Sequence, residues 1–183
     1  MDEKYIILII VGVLILIVAL WYIITLNKLN TVLIKIDESF SGIDVALSKR
    51  YNALTQMIEV VKSYAKHEKE ILFGVVELRN NMSLKEKVEA NHIMNENFEK
   101  INAIVENYPE LKASENYMTL QKTIVDVEEH LQAARRFYNS NVSLYNQQII
   151  LFPSSIVAKN KGMVKKDFFE ADEVQKSKVD INL

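Results

Sequence analysis

YIILIIVGVLILIVALWYIITL, residues 5–26, is an apolar run of 22 residues without a charged side chain. A helix of that length is about 33 Å long, which matches the roughly 30 Å hydrocarbon core of a bilayer. A cleaved secretory signal would have a shorter apolar core and a small-residue cleavage site, and neither is present. Tyr5 and the Trp21–Tyr22 pair lie where interfacial aromatic side chains anchor a span. The run therefore predicts a retained, single-pass transmembrane helix over residues 5–26.

Basic residues around this run predict its orientation. Only Lys4 lies in the N-terminal flank, whereas Lys28, Lys35, Lys49 and Arg50 follow the run. Basic flanks are retained on the cytoplasmic side of a membrane. We therefore expect residues 1–4 to be a short extracytoplasmic N-terminus, and the domain that follows to be cytoplasmic, at the cell (cytoplasmic) membrane.

Composition limits what the rest of the chain can be. About 157 residues follow the run, which is enough for one domain with its own core. The formal net charge of −2 gives no electrostatic footprint for nucleic acid. The absence of cysteine excludes disulfides, thiolate catalysis and thiolate metal sites. Four glycines and two prolines leave few helix breakers, so long helices are expected.

Apolar residues spaced three and four apart predict three long amphipathic helices over residues 27–163. The first continues out of the bilayer from Leu29. The second begins at the capping box that starts with Ser83 and ends before Pro109. The third runs from about Tyr117 to Phe152, with a possible cap at Ser114. A short helical turn follows, closed by Gly162. Residues 164–183 are charged and mostly aperiodic, which predicts a tail that docks loosely or is disordered.

The end of the first helix is open at this point. If the helix runs straight to about Arg79, its membrane-proximal stripe faces no returning helix and needs a partner. If it breaks near Ser63–Glu68, that stripe can pair with the third helix, and this length match favours a break. The predicted fold class is therefore all-α: an N-terminal transmembrane helix leading into a long antiparallel three- to four-helix bundle with coiled-coil-like packing.

No pattern in the chain predicts catalysis. His67, His92 and His130 lie on different segments, and none has the spacing of a zinc site. Phosphate-binding glycine loops and nucleophile elbows are absent from the sequence. We expect no enzyme, no metal and no cofactor.

Polar side chains interrupt the apolar stripes at a few positions. Arg50 takes a core position between Leu47 and Leu54, where a buried guanidinium needs a carboxylate such as Glu128. The open alternative is that Arg50 extends along its aliphatic stem to water. The pairs Tyr138–Asn139 and Tyr145–Asn146 repeat seven residues apart on one helix face. The candidate polar core is thus Arg50, Glu128, Tyr138, Asn139, Tyr145 and Asn146.

The membrane-proximal stripe of the first helix is a candidate self-association face. An apolar heptad seam left open to water needs a partner, and confinement to a membrane raises the effective concentration of copies. The predicted face consists of Leu29, Leu33, Ile36, Phe40 and Ile43.

Short motifs follow one another in a specific order after the apolar run: Ser41–Tyr51, Val61–Glu68, Tyr108–Ala113, Leu120–Gln121, Ala134–Asn139, Tyr145–Asn146 and Phe152–Pro153, with Ala158 and Gly162. Through these motifs the chain resembles the LemA family over nearly its whole length. Phe40 stands where a tryptophan is usual in that pattern, and Ser63 where a glycine is. The resemblance implies an all-α bundle on one N-terminal anchor with the N-terminus outside, and it implies no reaction.

Two functions are open from the sequence. The first is a non-enzymatic scaffold in the membrane that presents helical faces to copies of itself, to other membrane proteins, or to both. The second is a sensor in which Arg50, Glu128 and Tyr138 hold a small ligand. Helix movement would then transmit a signal through the membrane span. Convergence of those groups in a pocket between helices would favour the sensor.

Overall fold

The structure, a computed structural model, describes residues 3–64, 73–74, 76, 78–79 and 82–169. These described residues form five helices and no strand. A long N-terminal apolar helix leads into further helices that pack together, so the predicted all-α fold class is confirmed. Three of the helices are long and two are short.

Helix α1 spans Glu3–Tyr64 without interruption. It contains a stretch long and apolar enough to cross a membrane, and none of that stretch is buried. Phe73, Gly74, Leu78 and Arg79 are not helical, so the first helix does not continue straight to Arg79. Most of the predicted break near Ser63–Glu68 falls on residues 65–72, which lie outside the described residues.

Helix α2 spans Leu84–Glu106 and begins with the predicted capping box. The Ser83 backbone amide donates to Glu86 Oε2 over 2.7 Å, and the Glu86 amide donates back to the Ser83 hydroxyl. Hydrogen bonding of the Glu86 carboxyl by the Ser83 backbone amide, and after it by the Ser83 side chain, lowers the pKa of Glu86. The box satisfies amides that the first turn of a helix cannot pair internally.

Helix α3 is a single turn, Pro109–Lys112, that the sequence analysis did not predict. It buries Leu111 and leads into α4, Glu115–Ile150. The Ser114 hydroxyl accepts the Tyr117 amide at 3.3 Å, as expected for a cap. Helix α5 follows at Ser154–Asn160, and Gly162 beyond it has φ of +63°, which a glycine adopts at low cost.

The chain divides into two compact units, which are described separately. Unit 1 consists of Met1–Glu38 and Tyr138–Phe168. Unit 2 consists of Ser39–Phe137 and Phe169–Leu183. Of the predicted tail, residues 164–169 are described and are not helical, whereas residues 170–183 lie outside the described part.

Candidate functional site

The interior of unit 2 contains a buried arginine that joins three helices. Arg50 of α1 is only 4% exposed. Its Nη1 donates to Asn91 Oδ1 over 2.5 Å, and its Nη2 donates to Asn95 Oδ1 over 2.7 Å, both on α2. Nη2 also lies 3.1 Å from Glu128 Oε2 on α4. The guanidinium is therefore turned into the helices and does not extend to water.

A buried lysine forms a second polar contact in the same unit. Lys87 of α2 is 2% exposed, and its ammonium pairs with the Asp44 carboxylate of α1. The same ammonium lies 3.3 Å from the centre of the Phe40 ring, a cation–π arrangement. An ion pair and an aromatic face together compensate a cation that has lost most of its water.

The spacing of these α2 residues explains why they act together. Lys87, Asn91 and Asn95 follow one another at intervals of four, so they form one stripe along a helix face. The sequence analysis assigned no role to Lys87, Asn91 or Asn95. Their positions in line with the buried Ala90 and Met94 were the available signal.

The aromatic and amide repeats of α4 lie in unit 1 and contact the segment after α5. The Tyr138 hydroxyl donates to the Asp167 carbonyl over 3.0 Å. Asn146 donates to the Lys166 carbonyl and accepts the Lys166 amide, both at 2.9 Å. These bonds hold the first residues of the predicted tail against α4. Asn139 is half-buried and Tyr145 is buried on the same helix.

Burial changes the acidity of these tyrosines. The pKa of Tyr138 is raised mainly by burial, and in addition by the negative charges of Asp167 and Asp37. Burial alone raises the pKa of Tyr145. Both phenols are therefore protonated at neutral pH, and the protonated Tyr138 hydroxyl is the donor to the Asp167 carbonyl.

The candidate polar core thus separates into two sets. Arg50 and Glu128 meet in unit 2, whereas Tyr138, Asn139, Tyr145 and Asn146 belong to unit 1. Two surface grooves in unit 2 are lined by neither Arg50 nor Glu128. In the described ranges, no three His, Asp or Glu side chains are grouped closely enough to hold a metal ion. The terminal nitrogens of Arg50 contact protein groups, namely Asn91, Asn95 and Glu128.

The candidate self-association face is largely covered by the chain itself. Leu29, Ile36 and Ile43 are no more than 3% exposed, and Leu33 and Phe40 are half-buried. Of the two alternatives that the sequence left open, a stripe open to water and a stripe covered within the chain, the burial agrees with the second. A second copy is not needed to cover it, and self-association stays a prediction that must rest on another surface.

Comparison with known proteins gives one family and several relatives. Residues 39–183 match the sequence model of the LemA family. Protein LemA of Metamycoplasma hominis is 26% identical over 151 residues, which are 80% of this chain and 69% of that protein.

Shorter matches connect the chain to proteins named for the magnetosome. Magnetosome protein MamQ 2 of Paramagnetospirillum magneticum is 27% identical over 71 residues, 39% of this chain. Magnetosome protein MamQ of Magnetospirillum gryphiswaldense is 27% identical over 70 residues, 38% of this chain. Each match spans 26% of the magnetosome protein, so this similarity concerns one segment.

Proposed function

The chain belongs to the LemA family, and from that premise we propose that it is a single-pass membrane protein whose helical domain is a non-enzymatic scaffold. The domain lies on the cytoplasmic side of a bacterial cytoplasmic membrane. Its partners are the lipid bilayer and other membrane-anchored chains, including copies of itself. Neither the family description nor the names of the relatives refers to an enzyme, which supports this choice.

The observation that carries the scaffold proposal is a pair of exposed apolar side chains on α4. Met118 and Val125 are 51% and 52% exposed and lie seven residues apart. Residues seven apart share one face of a helix, which is the spacing used when helices of different chains pack together. Since both side chains lose water when a partner helix covers them, this pair is suited to binding another helical protein.

Photocrosslinking in native membranes tests this proposal. A photoreactive side chain at Met118 of the full-length chain should form crosslinks to protein, and Val125→Glu should reduce their yield. Thr123→Glu is the matched control, because Thr123 is exposed and lies about 160° around the helix axis from Val125. Equal loss of crosslinks in both variants, or no protein crosslinks from Met118, would contradict a scaffold that uses this face.

A further inference from the structure

The connection between α4 and α5 exposes a cluster of large apolar side chains. Ile150, Leu151, Phe152 and Ile156, which we name the α4–α5 corner, are each more than half exposed. Four neighbouring apolar side chains open to water are unusual on a protein surface that binds nothing. The corner therefore needs an occupant.

The opposite side of α5 packs against the end of the membrane span. Val157 and Ala158 are buried with Leu29 of α1, and Trp21, Tyr22, Leu26, Ile149 and Met163 pack against that cluster. Asn160 donates to the Tyr22 hydroxyl over 3.0 Å. All of these residues belong to unit 1, so the contact is internal to one compact body.

The position of this contact along α1 sets the depth of α5 in the membrane. Counted from Tyr5, Trp21 lies about 24 Å and Leu26 about 32 Å along the helix axis. The hydrocarbon layer is about 30 Å thick, so Trp21 and Tyr22 lie close to the boundary between acyl chains and headgroups. A helix packed against them lies at the same boundary.

The charges that follow the corner fit the headgroups of anionic lipids. The segment from Ile150 to Phe169 carries four lysines, and Asp167 is its one acidic residue. All four lysine side chains are exposed, and Lys28 at the end of the span is exposed as well. An apolar surface flanked by lysines is typical of segments that lie in a membrane interface. The lysines are Lys159, Lys161, Lys165 and Lys166, here named the corner lysines.

We propose that the α4–α5 corner is a second membrane contact, in which the apolar side chains enter the interface and the corner lysines bind phosphate groups of anionic phospholipids. The proposal rests on the membrane anchoring of the proposed function. Its consequence is that unit 1 contacts the bilayer at two points, the span and the corner.

Fluorescence quenching by lipid tests the proposal on the full-length chain. Because the natural sequence has no cysteine, a single fluorophore can be attached at Ile156→Cys, at Ile15→Cys within the span, or at Thr123→Cys. Thr123 lies 27 residues before Ile150, about 40 Å along α4. The chains are reconstituted in phosphatidylcholine vesicles, with or without phosphatidylglycerol, that contain a mixture of lipids brominated near the headgroup end of the acyl chain and lipids brominated near its terminal methyl group.

Three label positions separate the possible outcomes. We expect bromolipid to quench the labels at Ile15 and Ile156 but not the label at Thr123, with stronger quenching at Ile156 when phosphatidylglycerol is present. Quenching at Ile15 without quenching at Ile156 would overturn the second contact and leave the anchor standing. No quenching at Ile15 would overturn the anchor itself. Equal quenching at Ile156 in both lipid mixtures would overturn the anionic specificity.

Two substitutions test the chemistry of the contact. Leu151→Glu should reduce quenching at Ile156, whereas Val45→Glu should not; Val45 is similarly exposed but lies about 28 Å beyond Leu26 along α1. Replacing the corner lysines by glutamine should lower the ratio of docked to undocked chain by up to about fivefold per lysine at low salt. Unchanged quenching in both variants would contradict the proposal even if both fold normally.

Discussion

Replacing Arg50 by alanine tests how the helices of unit 2 are held together. The guanidinium is 4% exposed and contacts Asn91, Asn95 and Glu128 on two other helices. Alanine removes the cation and leaves the Asn91 side chain, itself 3% exposed, without this donor. We therefore expect Arg50→Ala to lower the free energy of unfolding substantially.

The size of this loss follows from the exposure of each partner. Breaking a fully buried ion pair costs about 3–5 kcal/mol. Glu128 keeps 32% of its side-chain surface exposed, so water can solvate its carboxylate and the cost moves to the lower end of that range. Leaving the buried Asn91 amide oxygen without its donor costs about 1–3 kcal/mol of folding free energy. Part of this cost is already contained in the figure for breaking the ion pair. The expected loss for Arg50→Ala is about 3 kcal/mol.

Thermal unfolding of the full-length chain in detergent, followed by circular dichroism, measures the effect. A loss of about 3 kcal/mol should lower the midpoint by about 6–12 °C in a domain of this size. Arg50→Lys should lie between the natural chain and alanine, because one ammonium cannot reach all three partners as a planar guanidinium does. Arg136→Ala, at an exposed position of α4, is the matched control. An unchanged midpoint for Arg50→Ala would refute the structural role of the arginine.

Two further changes give measurable effects on stability. Gly74→Ala should destabilise the chain by about 1–3 kcal/mol, because the added Cβ would lie 2.6 Å from the stiff Ile93 Cγ2. At Gly42 an added Cβ meets no atom within 4 Å, so Gly42→Ala should stabilise α1 by up to about 1 kcal/mol. Equal denaturation midpoints for Gly74→Ala and Gly42→Ala would refute the expected difference in stability. A raised pKa means that folded Tyr138 keeps its proton where the unfolded chain has lost it, so stability should fall as pH rises above about 10. Tyr138→Phe, which also loses the bond to Asp167, should show a shallower alkaline decline, and an identical pH titration of the denaturation midpoint would contradict this.

Local signals in the sequence were sufficient to locate the helices. The Ser83 capping box, the Ser114 cap and the glycine after α5 each depend on a few adjacent residues, and all three are present in the structure. The single turn α3 was not predicted, because the four residues Pro109–Lys112 are too few to show a period. The apolar run at residues 5–26 was equally easy to recognise in the sequence, since a helix that spans a bilayer requires many consecutive apolar side chains.

The contacts between helices were predictable only in part. Arg50 was identified because it interrupts an apolar stripe, and Glu128 because a buried arginine needs a carboxylate. Lys87 was not identified, because its compensation by Asp44 and Phe40 depends on how two helices are rotated towards each other. The same limit explains why the sequence left open whether the stripe that begins at Leu29 is covered within the chain.

That stripe shows what helix periodicity leaves undetermined. Periodicity indicates which side chains will be buried, but it does not indicate which segment of the chain packs against them. Leu29 is covered by Val157 and Ala158 of α5, a helix of seven residues that the sequence predicted only as a turn. A short helix so far along the chain gives no sign in the sequence of the segment against which it packs.

Cysteine accessibility in intact cells tests the central claim, a single membrane span with a cytoplasmic helical domain, most directly. Glu3→Cys and Lys122→Cys each place one thiol at an exposed position of this cysteine-free chain. The account predicts that an impermeant maleimide labels Glu3→Cys in intact cells and labels Lys122→Cys only after the membrane is permeabilised. Labelling of Lys122→Cys but not Glu3→Cys in intact cells would contradict the orientation, and labelling of neither would contradict an extracytoplasmic N-terminus.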